Sequence, residues 1–383
     1  TGYSIVYADH VSVTVSGGKV RGNVYGGGES VPIITSYNGY NYLENAYLGG
    51  SGSDEVAAVH CDDISVTISG GTVSGDVYGS GKGADPTDLD YYNSKGEPIE
   101  APDVEGYSIH SSAYIFAIKK VDASYSIVKI PWLSGSGGTK LQENSDYSDF
   151  AKVETEAVTV TISNAAIGGS VYGGGEYGRL GPEEGSTRTS VSIDLGKGAD
   201  IGGSVFAGGF GQSNVIATNV LSRTVTIDGA DIGGSVYGGS RYGDDNCSSS
   251  NGSLSTHGYN QGNVIIRLIS GSIASGSSGN VYGGGYRGYS NMDAEVLVGV
   301  PAMEEGQNPV SDHLEIISIY GGASVGESDN YDNNTELLLG DTKVIIGNLM
   351  EGSDETPYTG GFAVSGDVFG EGDYCSISGE SLV

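Results

Sequence analysis

From Val11 to Ser16 the chain alternates apolar residues with small hydroxyls, Val-Ser-Val-Thr-Val-Ser. A period of two places the valines on one face of a strand and the hydroxyls on the other. Gly17-Gly18 breaks the alternation, Val20 resumes it, and Gly22-Asn23-Val24-Tyr25 predicts a second short strand that Gly26 to Gly28 end. The same order of residues returns at 68–81 (ISGGTVSGDVYGSG), 162–175 (ISNAAIGGSVYGGG), 195–209 (LGKGADIGGSVFAGG), 227–239 (IDGADIGGSVYGG) and 269–285 (ISGSIASGSSGNVYGGG). It closes at 360–370 (GGFAVSGDVFG), with a weaker copy at 319–326. Each unit is too small to bury its own apolar face, so the core forms between stacked units.

Within the central block Tyr172, Phe206 and Tyr237 stand 34 and then 31 residues apart. That step fits two or three short strands plus a loop, and it is short for a four-stranded propeller blade of about 40 residues. No stretch carries a helical period. The expected fold is therefore all-β, a right-handed parallel β-helix (β-solenoid) with long loop insertions, Val and Ile stacked inward and hydroxyl or aromatic ladders outside.

The organisation follows from where the unit stops. Residues 1–83 read as solenoid coils. Residues 84–156 read as an inserted loop and hairpin subdomain: an acidic stretch with Pro86, Pro98 and Pro102, then β-like runs at 107–119 and 125–132 that end on the single Trp, Trp132. Residues 157–383 continue the same solenoid domain, with long loops at 289–312 and 327–342. Strand-like sequence at 1–8 and 374–379 carries no polar cap, so open strand edges are expected there. These would join the next repeats of a longer array or stack copies head to tail. The chain opens at Thr1 without a signal peptide, as a processed or excised piece does, which argues nothing against export.

Composition narrows the function. Glycine supplies 67 of 383 residues without the every-third spacing of a collagen helix. Tyrosines number 26 against 6 phenylalanines, which suits half-exposed β surfaces where a ring carries a wet hydroxyl. With 17 basic and 48 acidic side chains the net charge is −31. No basic stripe exists for phosphates, so nucleic acid and anionic membrane surfaces are excluded as expected partners. No apolar run reaches the roughly 18 residues of a membrane span. The acidity has two readings: solubility of an edge-rich β protein, or loop carboxylates that collect Ca²⁺. The second would use Asp85, Asp88 and Asp90, Asp244 and Asp245, or Asp329 and Asp332, although none matches a known calcium loop. No other cofactor is expected. Cys61, Cys247 and Cys375 are odd in number and widely spaced, so at least one is free or pairs with another chain, and no Cys/His cluster suggests zinc.

Two sets of positions recur. The Val-Tyr position gives Tyr25, Tyr78, Tyr172, Phe206, Tyr237, Tyr282 and Phe369. If the valine points inward the rings form an outer ladder, either packing from coil to coil under the loops or stacking on sugars or on a partner. The hydroxyl positions give Ser12, Ser65, Thr159, Ser192 and Thr224 in one column, and Thr14, Thr67, Thr161, Asp194 and Thr226 in the next. They read as a solvated strand face. Catalysis on a β-helix needs paired carboxylates in a cleft, or Ca²⁺ with a basic proton acceptor. The basic residues Arg21, Arg179, Arg188, Arg223, Arg241, Arg267 and Arg287 are scattered over the coils, and no nucleophile motif appears.

The unit GG-x-[IV]-x-G-x-V-Y-G-G-G, carried by 17–28, 70–81, 165–175, 230–239 and 271–285, resembles the glycine-rich repeats of very large exported surface proteins of anaerobic, often gut-dwelling, bacteria. The resemblance covers most of the chain outside 84–156 and the long loops. It implies export to the cell surface or extracellular space and a structural role, and it carries no catalytic residue. The expected function is a non-enzymatic structural protein, a fibre subunit or adhesin stalk. Its partner would be itself or neighbouring repeats of a longer chain, and glycans or a host surface are further possible contacts. The alternative is a carbohydrate-binding or carbohydrate-cleaving β-helix.

Overall fold

A computed structural model describes residues 6–29, 34–37, 40–43, 59–83, 90–92, 98–99, 116–121, 124–129, 132–135, 138–141, 153–182, 188–211, 216–250, 253–256, 259–273, 279–299, 314–325, 336–346, 362–373, 376–377 and 379–383. Among them every regular element is a strand. The alternating runs are the longest, Val6–Val20, Val59–Val73, Val153–Ile162, Ser222–Ile232 and Gly262–Ile273. Each pairs in parallel with the equivalent run of a neighbouring repeat, and all but Val6–Val20 do so on both sides among the described residues. Val13 lies beside Val66, Val66 beside Val160, Val160 beside Ile193, and the column continues through Val225, Ile266, Val296 and Val344.

Register is fixed by burial. Val66, Val160, Ile193, Val225, Ile266 and Val296 are fully buried, and a slip of one residue would turn each outward and bring in its neighbour, a hydroxyl residue in the earlier strands and Arg267 or Glu295 among those of the later ones. At roughly 1.5–3 kcal/mol for each buried aliphatic side chain, a one-step slip along a single coil forfeits several. The hydroxyl columns form as their spacing predicts. Ser12, Ser65, Thr159, Ser192 and Thr224 are successive neighbours, as are Thr14, Thr67, Thr161, Asp194 and Thr226. Beyond Thr224 and Thr226 the columns change character, to Ile265, Glu295 and Lys343 and to Arg267, Leu297 and Ile345.

The longer strands belong to one closed hydrogen-bonded set, and closure has a local cause. Val59–Val73 runs through a corner that the next repeat splits in two, so it pairs both with Val153–Ile162 and with Ala165–Ile167. The corner sits at Ser69-Gly70-Gly71, where Gly71 adopts a φ of +85° that a residue with a Cβ avoids. The Val-Tyr pairs build a second, separate parallel sheet of eight short strands. Val24, Val77, Val171, Val205, Val236 and Val281 face the shared aliphatic core from that side.

One boundary moves relative to the sequence reading. The parallel ladder resumes at Val153, which is buried and lies beside Val59, so the last four positions assigned to the insertion belong to the parallel ladder. Within 84–152, Asp90–Tyr92, Pro98–Ile99, Phe116–Val121 and Ser124–Lys129 form a four-stranded antiparallel sheet, and Trp132–Gly135 pairs with Gly138–Leu141.

Candidate functional site

Two aromatic features cross the same coils, and they are built differently. The first is the Val-Tyr column. Rings stack face to face from Tyr25 to Tyr78 (5.0 Å), Tyr172 (4.7 Å), Phe206 (5.0 Å), Tyr237 (4.6 Å) and Tyr282 (4.9 Å). Two further rings continue it, Tyr320 (4.9 Å) and Phe369 (5.0 Å). Planes are within 14° throughout, because parallel in-register strands repeat one backbone geometry at about 4.8 Å. Tyr320 is a ring that the sequence reading left out. Its signal was present as Ile319-Tyr320-Gly321-Gly322, with Ile in place of Val.

These rings point away from the aliphatic core, yet they are covered: Tyr78, Tyr172, Phe206, Tyr237 and Tyr282 are buried, while Phe369 at the far end is exposed. Burial disfavours the phenolate and pushes the Tyr237 phenol up to about 12, and it raises Tyr78, Tyr172 and Tyr282 as well. The column is thus a second packed seam.

The residue before each valine completes the seam. At Asn23, Asp76, Ser170, Ser204 and Ser235 a side-chain oxygen accepts the backbone N–H of the equivalent residue one coil on, at 2.6–3.2 Å. Asn23 and Asn280 also donate to the ring hydroxyl two residues later. The position was written as x in the repeat, although Asn, Asp or Ser always fills it. Their short side chains carry an acceptor within reach of the backbone, which is the signal that was available.

The second feature lies one corner later, where isolated bridges link Lys82, Glu176, Phe210, Arg241, Tyr286, Ser324 and Asp373 into a column. Here the rings meet edge to face: Tyr177 with Phe210 at 4.9 Å, Phe210 with Tyr242 at 6.0 Å, Tyr242 with Tyr286 at 5.5 Å. The Arg241 guanidinium carbon lies 5.3 Å from the Phe210 centroid and 5.2 Å from that of Tyr242, and Arg287 lies 5.3 Å from Tyr286. Arg241 donates to the Tyr172 hydroxyl at 3.2 Å, and Arg287 to the Val325 carbonyl at 2.7 Å. All six side chains are half-buried. Tyr177, Tyr242 and Arg287 hold left-handed backbone with φ of 51°, 64° and 58°. Bulky residues enter that region at a cost on the order of 1 kcal/mol each.

A third cluster corrects where two of the candidate calcium carboxylates lie. Asp244 and Asp245 were expected in a solvated loop, and both are fully buried. Asp245 accepts from Ser240 N at 2.7 Å, Ser240 Oγ at 2.6 Å, Ser290 Oγ at 3.3 Å, the Thr218 hydroxyl and Arg223 Nη2 at 3.2 Å. Arg223 stands between Val191 and Val264 in an inward column, a place the alternation reserves for an aliphatic residue. Its Nη2 also reaches Asn246 Oδ1 at 3.0 Å, while among the described residues Nε and Nη1 find no acceptor. Burial pulls this guanidinium down and Asp245 opposes the shift. Beside it, burial pushes the Cys247 thiol well up, with Asp244 and Asp245 adding to the effect, so it stays protonated and inert at neutral pH.

Asp85, Asp88, Asp329 and Asp332 lie outside the described residues, as does Cys375, and Asp90 is described only as part of the strand Asp90–Tyr92. Among the described residues no group of His, Cys, Asp and Glu is arranged to hold a metal ion. Compared with family models, curated proteins and solved structures, the chain gives no match.

Proposed function

We propose that the parallel strands wind as one β-solenoid and that the chain is a non-enzymatic structural element of the cell surface or extracellular matrix. The observation that carries this reading is the unbroken stack of eight rings beside a continuous aliphatic column. Both are translationally repetitive along one axis, an arrangement that gives stiffness and indefinite extension. The buried Asp245 carboxylate and the Tyr78, Tyr172 and Tyr282 hydroxyls are all engaged in internal hydrogen bonds. The repeat unit that resembles those of large exported bacterial proteins supports the location.

Among the described residues the strand Val6–Val20 pairs with Val59–Val73 alone. Its other edge is where a further coil would add, from the same chain or from a neighbouring copy. Negative-stain electron microscopy of the purified chain, with and without EDTA, tests self-assembly. Unbranched filaments are expected, and their loss in EDTA would bring Ca²⁺ into the junction. Isolated particles at every concentration overturn the fibre and leave the coils as part of a longer array.

A further inference from the structure

We propose that the strip formed by Tyr177, Phe210, Arg241, Tyr242, Tyr286 and Arg287 binds glycans that carry spaced carboxylates, such as uronic-acid oligosaccharides. This goes beyond the structural role and holds whether or not the chain forms filaments. The first reason is charge. In a molecule of net charge −31, Arg241 has no carboxylate partner among the described residues; two rings and the Tyr172 hydroxyl hold it instead. A guanidinium fixed between rings keeps its N–H fork in one orientation, which suits two-point recognition of a carboxylate.

The second reason is backbone. Directly after the bridging residue, Tyr177, Tyr242 and Arg287 hold left-handed backbone, whereas Gly83, Gly211 and Val325 at the equivalent positions of other coils do not. The repeat itself therefore does not demand this conformation, yet three coils place a large aromatic or cationic side chain in it. Strain of this kind persists where the side chain has a use.

The third reason is selection among anions. Four adjacent coils carry the strip from Glu176 to Tyr286, a reach of about 14 Å at the strand spacing. Acidic groups flank it, Glu176 holding the Tyr25 hydroxyl on one side and Asp373 the Tyr282 hydroxyl at 3.3 Å on the other. The overall field repels densely charged polyanions and tolerates carboxylates spaced at one per sugar ring. Half-exposed aromatic edges and hydroxyls fit the apolar and polar faces of those rings.

Isothermal titration calorimetry of the whole chain tests this with three probes: uronic-acid trimers (galacturonate, glucuronate and mannuronate), neutral trimers, and a short acidic peptide. Uronic-acid binding is expected, with Arg241→Met weakening it about tenfold or more, the scale of one lost charge-assisted contact. Tyr242→Gly removes a ring while relieving left-handed backbone, so it should weaken binding with an unchanged melting temperature. Failure of all uronic-acid trimers to bind overturns the proposal. Equal binding of neutral trimers, tighter binding of the acidic peptide, or retention of binding in Arg241→Met overturns it too. A lower melting temperature in Tyr242→Gly with unaltered binding would make the strip packing only.

Discussion

The stacked column and the edge-to-face strip are both aromatic, and they cross the same coils one corner apart. In the column each repeat spells a β-branched residue followed by Tyr or Phe, the rings lie flat on one another, and five of eight are buried. In the strip each coil contributes a different residue, Glu176, Phe210, Arg241, Tyr286, and the rings are tilted and half-exposed. Repetition in register selects for packing, since an identical neighbour at about 4.8 Å is always available to stack on. Variation at a fixed place in the repeat has no such source of stabilisation, so it points to a demand set by something outside the coils. The buried Arg223–Asp245 pair is the instructive exception, because it also departs from the repeat and yet faces inward.

That exception gives the largest expected effect. Asp245→Ala strands the Arg223 charge in the interior and should lower unfolding free energy by about 3–5 kcal/mol, whereas replacing both with Met and Leu should be near neutral. Urea titration of the single and double variants checks this. Equal losses in the two would mean that a stranded Arg223 charge is not what destabilises the single variant.

Next in size is the column itself. Tyr172→Ala removes a ring held between Tyr78 and Phe206 and should cost about 3 kcal/mol or more. Phe369→Ala, at the exposed end, should cost about 1 kcal/mol or less. Similar losses at the two sites would break the claim that stacking between two neighbours stabilises the seam.

The column should also fail at alkaline pH. Tyr237 has a folded-state value of about 12 against an ordinary 10, so the neutral ring favours the folded chain. Its contribution is complete below pH 10 and is lost as pH rises through about 12. The melting temperature should therefore fall steeply across that interval, with phenolate absorbance from the column appearing only as the fold opens. Full ionisation of every tyrosine near pH 10 with an unchanged melting temperature would contradict it.

The smallest effect is expected in the strip. Tyr242→Gly exchanges ring contacts for relaxed left-handed backbone, and stability should change by no more than about 0.5 kcal/mol. A loss as large as that of Tyr172→Ala, measured by thermal melting, would erase the distinction between the two regions.

Much of this was legible in the linear chain. Alternation at 11–16, 64–68 and 158–162 set strand identity, inward face and register together, because a period of two admits one way to bury the aliphatics. The glycine corners and the recurring Val-Tyr pair located the ring column, short of Tyr320, where an isoleucine disguised the unit. The acceptor side chains before each valine were visible too, as a position that only Asn, Asp and Ser occupy.

Other features depend on which coil lies beside which. Asp245 is 22 residues from Arg223, and nothing in the acidic-looking stretch around it announces that it turns inward to meet a cation. The strip's bridging residues stand four positions after each column ring, at 176, 210, 241 and 286, but the residue type changes at every copy, so the place is marked by an offset and not by a recurring letter. A repeat writes its own period into the sequence, since every copy meets the same neighbours. A contact between unlike residues in different copies has no period, and only the stacking of the coils brings it into being.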